Sequence, residues 1–236
     1  MVVAEPIALA RSEERYPSDL LGLGGPAGVI HCLGNLELLQ SPAVGICGSR
    51  SASVQALEHA REFGRMAAER GFVVVSGYAR GVDVRAHLGA VQAGGGTIAV
   101  LAEGIAHFRL RKELVGIATL DSLLALSIFR PEAPWAGWRA MQRNRYIVGL
   151  ARGLFVVEAR ERGGTFEAGL ECLRQRKPLW VIEYQHGGSH REGNTRLIAA
   201  GGTPIRSGGV LKKLLEDAWH AYQPRQERLT LSVAES

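Results

Sequence analysis

The sequence has no closely spaced cysteine pair. Its three cysteines, Cys32, Cys47 and Cys172, are scattered and odd in number, which argues against a disulfide framework and against a zinc site. Buried thiols are the expectation. No window holds the apolar run that a membrane span needs, and the opening MVVAEPIALARSEERYPSDL lacks a basic start followed by a sustained apolar region. A cytoplasmic protein with no membrane partner is expected. No unit of 20 to 50 residues recurs, which excludes solenoids and propellers. Lysine is scarce as well, since 24 of the 28 basic residues are arginine. The formal charge of +5 is a mild bias that says little alone. Arginine, however, is the cation whose planar fork matches phosphate oxygens, so position along the chain must show which arginines matter.

What the sequence does have is a regular alternation. Apolar bursts occur at 44–47 (VGIC), 72–76 (FVVVS), 97–102 (TIAVLA), 123–128 (LLALSI), 154–159 (LFVVEA) and 178–183 (PLWVIE). Each is nearly continuous in Val, Ile and Leu, as a strand covered on both faces should be. Segments of helical spacing lie between them. In 54–70, Leu57, Ala60, Phe63 and Ala67 fall on one stripe, with Ser53 as N-cap and Gly71 just past the end. The pattern predicts an α/β fold with a doubly wound, mainly parallel sheet in three layers. A short strand (GVIHCLG, 28–34) and a helical turn (NLELLQ) precede it. Residues 1–27 are expected to form an irregular N-terminal arm, residues 28–222 the domain, and residues 223–236 a polar, mobile tail.

Ligands of doubly wound sheets bind at the carboxyl ends of the strands, so the residues after each burst carry the argument. They are Gly48-Ser49-Arg50, then Ser76-Gly77-Tyr78-Ala79-Arg80-Gly81-Val82-Asp83, then Glu103-Gly104, and Arg160-Glu161-Arg162-Gly163-Gly164-Thr165. Glycines there let backbone amides approach an anion beside a helix N-terminus, and the convergence of several such loops predicts a phosphate-type ligand. A nicotinamide cofactor is disfavoured. Its fingerprint needs G-x-G-x-x-G and an acidic residue at the end of the second strand, whereas VVVSGYARG carries no carboxylate before Asp83. No cofactor is expected.

GICGSR, then VVVSGYARGVDVRAHLGAVQAGGGTIAVLAEG, then RNRYIVGLARGLFVVEA, in that order and spacing, resemble the DNA-processing protein A (DprA/Smf) family over residues 28 to 206. The S-G-x-A-R-G-x-D-x-x-A-H block (76–87) followed by A-G-G-x-T-I-A-V-L (93–101) is its most specific part. The resemblance implies an extended Rossmann-like domain that binds single-stranded DNA, usually as a homodimer. In bacteria that take up DNA, such proteins protect the incoming strand and help load the RecA recombinase. The family's N-terminal helical domain and its C-terminal winged helix are not recognised outside residues 28–222. RGGTFEAGLE stands where the family has S-G-[ST], and Glu183-Tyr184 replaces a Pro-Gly.

Within this frame the expected phosphate and nucleic-acid ligands are Gly48, Ser49, Arg50, Ser76, Gly77, Arg80, Gly81, Gly104, Arg143, Asn144, Arg145, Gly163, Gly164 and Thr165. Arg143 and Arg145 open a predicted helix, the end where the dipole disfavours cations, which points to an anion nearby; a structural salt bridge is the competing reading. Asp83 and His87 stand four apart on one helix face and are read as a hydrogen-bonded scaffold pair in preference to an acid/base dyad. Tyr78, Trp135 and Trp138 suit base stacking, or else the two tryptophans cover an apolar edge or dimer seam. His107, His186 and His190 have no ligand-like partners, and no metal site is expected. GGTFEAGLE (163–171) is similar, with one glycine missing and Glu167 one residue early, to the GGxGTxxE signature of the nucleotide phosphoribohydrolases (the LOG or lysine-decarboxylase-like family). The alternative function is therefore a nucleotide sensor, or an enzyme that cleaves nucleoside monophosphates through Glu167.

Overall fold

The computed structural model describes residues 5–23, 28–185 and 191–221. Seven strands run parallel at its centre: β3 (Ala43–Cys47), β4 (Val73–Ser76), β5 (Thr97–Val100), β6 (Leu123–Ser127), β7 (Leu154–Val156), β8 (Leu179–Ile182) and β9 (Thr203–Ile205). Two more, β1 (Ile7–Ala10) and β2 (Val29–Gly34), add antiparallel to one edge, giving the order β1-β2-β6-β5-β4-β3-β7-β8-β9. The apolar bursts are strands because both faces are covered: all five residues of β3 and all five of β6 are buried.

One face carries α2 (Val54–Ala68), α3 (Val82–Gln92) and α7 (Gly208–His220), whose Ala56, Ala60, Phe63, Ala86 and Leu211 pack on Val44, Ile46 and Phe155. The other carries α1 (Ser18–Leu21), α4 (Gly137–Leu150), α5 (Gly164–Arg174) and α6 (Glu192–Ala199), with Ile147, Phe166 and Leu197 against Val75, Val100 and Val156. This is a three-layer, Rossmann-like α/β fold. No helix among the described residues is long and apolar enough to cross a membrane.

Helix α2 starts where its cap predicts: the Ser53 side chain accepts a hydrogen bond from Ala56 N. Helices α2 and α3 then meet backbone to backbone. A Cβ on Gly64 would overlap the Ala86 carbonyl, and one on Gly89 would overlap the Arg61 carbonyl.

The reading of residues 1–27 as an irregular arm is corrected within its described part. Strand β1 pairs with β2 through Ile7–Cys32 to Ala10–Val29, and Leu9, Tyr16 and Leu20 are buried in the core. A few apolar anchors among charged and polar neighbours suffice once a sheet edge supplies the backbone partners. The proposed tail at 223–236 lies outside the described residues.

Candidate functional site

The chain builds β3, β4, β5 and β6 outward in one direction, then returns to place β7, β8 and β9 on the other side of β3. The loops leaving β3 and β7 therefore part at the carboxyl edge, and a crevice opens where the order reverses. It is a cleft of about 440 Å³, within the range of small-ligand pockets. Its walls are Gly48–Ser51 after β3, Ala79 and Arg80 after β4, Arg160 and 162–165 after β7, and the first turns of α4.

Two loops interlock at the β3–β4 side. Gly81 has φ +87°, and any side chain there would press on the Ser49 carbonyl and the Arg50 backbone; a Cβ on Gly48 would strike Val82. On the opposite wall Gly163 has φ +131° and starts α5 without a side-chain cap, and Gly164 and Thr165, the first two residues of that helix, line the cleft. Asn144 ties the walls by donating to Gly164 O at 2.9 Å.

Four arginines rim this space: Arg50, Arg80, Arg160 and Arg162 line it and are exposed. Among the described residues none of the four has an ion-pair partner, while Arg65, Arg174, Arg196 and Arg206 elsewhere all pair with glutamates. Elsewhere among the described residues Arg61, Arg109, Arg111, Arg130 and Arg176 are also exposed without an ion pair, so what marks this edge is that four such arginines line one cleft. The Arg50 guanidinium lies over the Trp135 ring, 5.4 Å from its centroid.

Beneath the rim the chemistry is structural. Arg143 is 4% exposed and donates to Val100 O at 2.8 Å, with Asp83 Oδ2 3.9 Å away. Its guanidinium occupies the space that a side chain on Gly77 would take. Burial pushes the Asp83 carboxyl up and Arg143 pulls it down; burial is the larger influence. Asp83 also accepts from Ala79 N at 3.3 Å, holding the turn before α3. His87 does not bond to Asp83. Its Nδ1 lies 2.6 Å from Thr97 Oγ1, and burial pushes its pKa down to about 3, so it is a neutral core side chain.

Of the sequence-predicted residues, the cleft brings together Gly48, Ser49, Arg50, Arg80, Arg143, Asn144, Gly163, Gly164 and Thr165. Ser76, Gly77 and Gly81 stand behind it; Ser76 is buried and donates to Ile46 O at 2.5 Å. Gly104 is a packing glycine, its missing Cβ replaced by the Arg130 and Pro131 carbonyls. Arg143 and Arg145 are corrected on one point: they sit in the middle of α4, which begins at Gly137, and so do not open it. Arg145 is corrected further: it donates to Leu23 O and pairs with Glu171 at 3.5 Å, because two helical steps turn it about 200° from Arg143. Glu167 is not among the lining residues. His186 and His190 lie outside the described residues, and among those described no three His, Cys, Asp or Glu side chains gather as for a metal.

Sequence reasoning passed over Glu158 and Asn194. Glu158, 1% exposed, accepts from Ser53 N at 3.2 Å and Ser53 Oγ at 2.7 Å and faces Arg191 at 3.7 Å. Asn194 accepts from Ala159 N and donates to Val157 O and Ile182 O, pinning β7 to β8 as they leave the sheet. A lone carboxylate inside the burst LFVVEA was the available signal for the first.

The family model described as DNA recombination-mediator protein A matches residues 8–216. The chain is similar to the DNA processing protein DprA of Streptococcus pneumoniae, 32% identical over 198 residues that cover 83% of this chain and 70% of that protein. The X-ray structure of DprA from Streptococcus pneumoniae covers 86% of this chain and 72% of its own, with a TM-score of 0.77 at 29% identity. A structure of DNA processing protein A from Helicobacter pylori, solved for insight into its single-stranded DNA binding mode, gives a TM-score of 0.79 at 22% identity. It covers 94% of this chain and 99% of that one, and at this identity shows the fold alone.

Proposed function

The chain belongs to the DNA recombination-mediator protein A family, and from that premise we propose that its cleft binds single-stranded DNA with little regard to sequence. The observation that carries the reading is the set of four exposed arginines without carboxylate partners around a glycine-edged crevice at the strand reversal. Phosphates lie on Arg50, Arg80, Arg160 and Arg162, and the amides that open α5 hold one of them. With four unpaired arginines on its rim, binding is largely electrostatic and salt-dependent. The biological setting that fits is processing of incoming DNA in transformation, with a homodimer as the working unit and a RecA-type recombinase as its partner. Cleavage of a nucleoside monophosphate is the weaker reading, because Glu167 does not line the cleft.

The test is the affinity for a short oligo-dT across a salt series. Wild-type affinity should fall steeply as salt rises, and Arg50→Ala or the double variant Arg160→Ala, Arg162→Ala should lower the slope of log K against log salt by about 0.7 for each phosphate that is no longer neutralised. Failure of oligo-dT to bind at low salt, or an unchanged slope in the double variant, refutes the proposal. Release of free base from a nucleoside monophosphate would instead support the enzymatic reading.

A further inference from the structure

Glu158 is a buried carboxylate that the cleft lining does not include, yet it touches both loops that part at the strand reversal. It stands two residues before Arg160, in the segment leaving β7, and Ser53 stands three residues after Arg50, at the start of α2. Ser53 Oγ donates to one oxygen of Glu158 at 2.7 Å and Ser53 N to the other at 3.2 Å. The carboxylate therefore bridges the backbone that carries Arg50 and the backbone that carries Arg160.

A charge this deeply buried persists only with a cation and hydrogen bonds around it. Arg191 is the cation, its Nε 3.7 Å from Glu158 Oε2. Arg191 is itself held in place: Nη2 donates to Gln55 Oε1 at 3.2 Å, and the guanidinium carbon lies 3.8 Å from the centre of the Tyr184 ring. The Arg160 side is fixed as well. Ala159 N donates to Asn194 Oδ1 at 2.7 Å and Gly193 N to Ala159 O at 3.0 Å, and Gly193 leaves no room for a side chain against the Arg160 carbonyl. A buried ion pair is a poor source of stability, since well-packed apolar side chains serve as well. What it supplies is a set register between segments far apart in the chain.

We propose that Glu158 is a positioning residue of the cleft: through Ser53 it sets the backbone of Arg160 against that of Arg50, so that both guanidiniums reach phosphates of one bound strand, and Arg191 is the counter-ion that keeps it charged. The inference rests on the single-stranded DNA reading. It adds that the rim arginines on the two sides of the reversal act on one strand only while the bridge between Ser53 and Glu158 is closed.

The experiment measures oligo-dT affinity at one low salt concentration, with and without Arg160→Ala, in four backgrounds: wild type, Glu158→Ala, Ser53→Ala and Ile205→Val. Ile205 is a core residue of β9 outside the cleft lining, so its variant controls for lost stability alone. Arg160→Ala should weaken binding about fivefold in wild type and in Ile205→Val, as the loss of one phosphate contact would. In Glu158→Ala, and in Ser53→Ala should the first variant not fold, the added loss should fall to less than about twofold, because Arg160 is already out of register. A full Arg160 effect without the bridge, an equal reduction of that effect in Ile205→Val, or wild-type affinity unmoved by Arg160→Ala overturns the positioning role and leaves the DNA reading standing. If wild type does not bind oligo-dT at low salt, both readings fall.

Discussion

Replacing Gly77 with alanine tests how the floor of the cleft is built. Gly77 is not among the glycines with positive φ, so alanine meets no backbone strain there and the whole effect comes from space. That space is filled by the Arg143 guanidinium, which is buried and fixed by Val100 O at 2.8 Å and by Asp83. The added methyl must displace it. The displacement breaks a charged hydrogen bond, worth roughly 1.5–3 kcal/mol, and strips Asp83 of its cation; breaking a buried pair costs about 3–5 kcal/mol in all. Against a total stability of about 5–15 kcal/mol, urea unfolding followed by circular dichroism will resolve this readily. The diagnostic is a double-mutant cycle. In an Arg143→Ala background the methyl has room, so Gly77→Ala should cost less than about 1 kcal/mol there, giving a coupling of about 2 kcal/mol or more. Full cost in that background, or a single variant within about 0.5 kcal/mol of wild type, would refute the account.

His87 gives a pH signature. Its folded pKa of about 3 lies below the unfolded 6.5, so the unfolded chain binds the extra proton between these values. Its contribution is complete above about pH 6.5 and is lost as pH falls, at about 1.4 kcal/mol per unit. Urea titrations at pH 6.5 and 5 should show about 2 kcal/mol of this loss in wild type and none of it in His87→Leu. Arg145→Ala and Glu167→Ala should each leave oligo-dT affinity within about twofold of wild type in an equilibrium binding titration, since neither residue lines the cleft; a loss comparable to that of Arg50→Ala contradicts the assignment. Ser53→Ala removes both the α2 cap and a donor to buried Glu158, and should cost about 1–2 kcal/mol, seen calorimetrically as a Tm lowered by about 3–6 °C.

The central strands were legible because burial on both faces writes itself as unbroken runs of Val, Ile and Leu, and VGIC, TIAVLA and LLALSI fall where β3, β5 and β6 form. Strand β1 was not legible, because an edge strand needs few apolar residues and IALA is exposed at two of its four positions. The site was half legible. Glycines and arginines after β3, β4 and β7 announced the cleft, but composition cannot say which way a side chain turns. Arg143 and Arg145 look alike in RNR, yet helical phase sends one to the floor and the other toward α1 and α5. That phase was available from the sequence alone. The long-range partners were not: Gly77 under Arg143, and Glu158 under Ser53, join segments 66 and 105 residues apart.

The glycine contact between α2 and α3 reaches further than packing. Helix α2 grows out of the loop that bears Arg50, and α3 out of the loop that bears Arg80. With Gly64 against the Ala86 carbonyl and Gly89 against the Arg61 carbonyl, no layer of side chains lies between the helices to act as a bearing, and neither can roll over the other. The backbones that carry the two arginines are therefore mounted on one body.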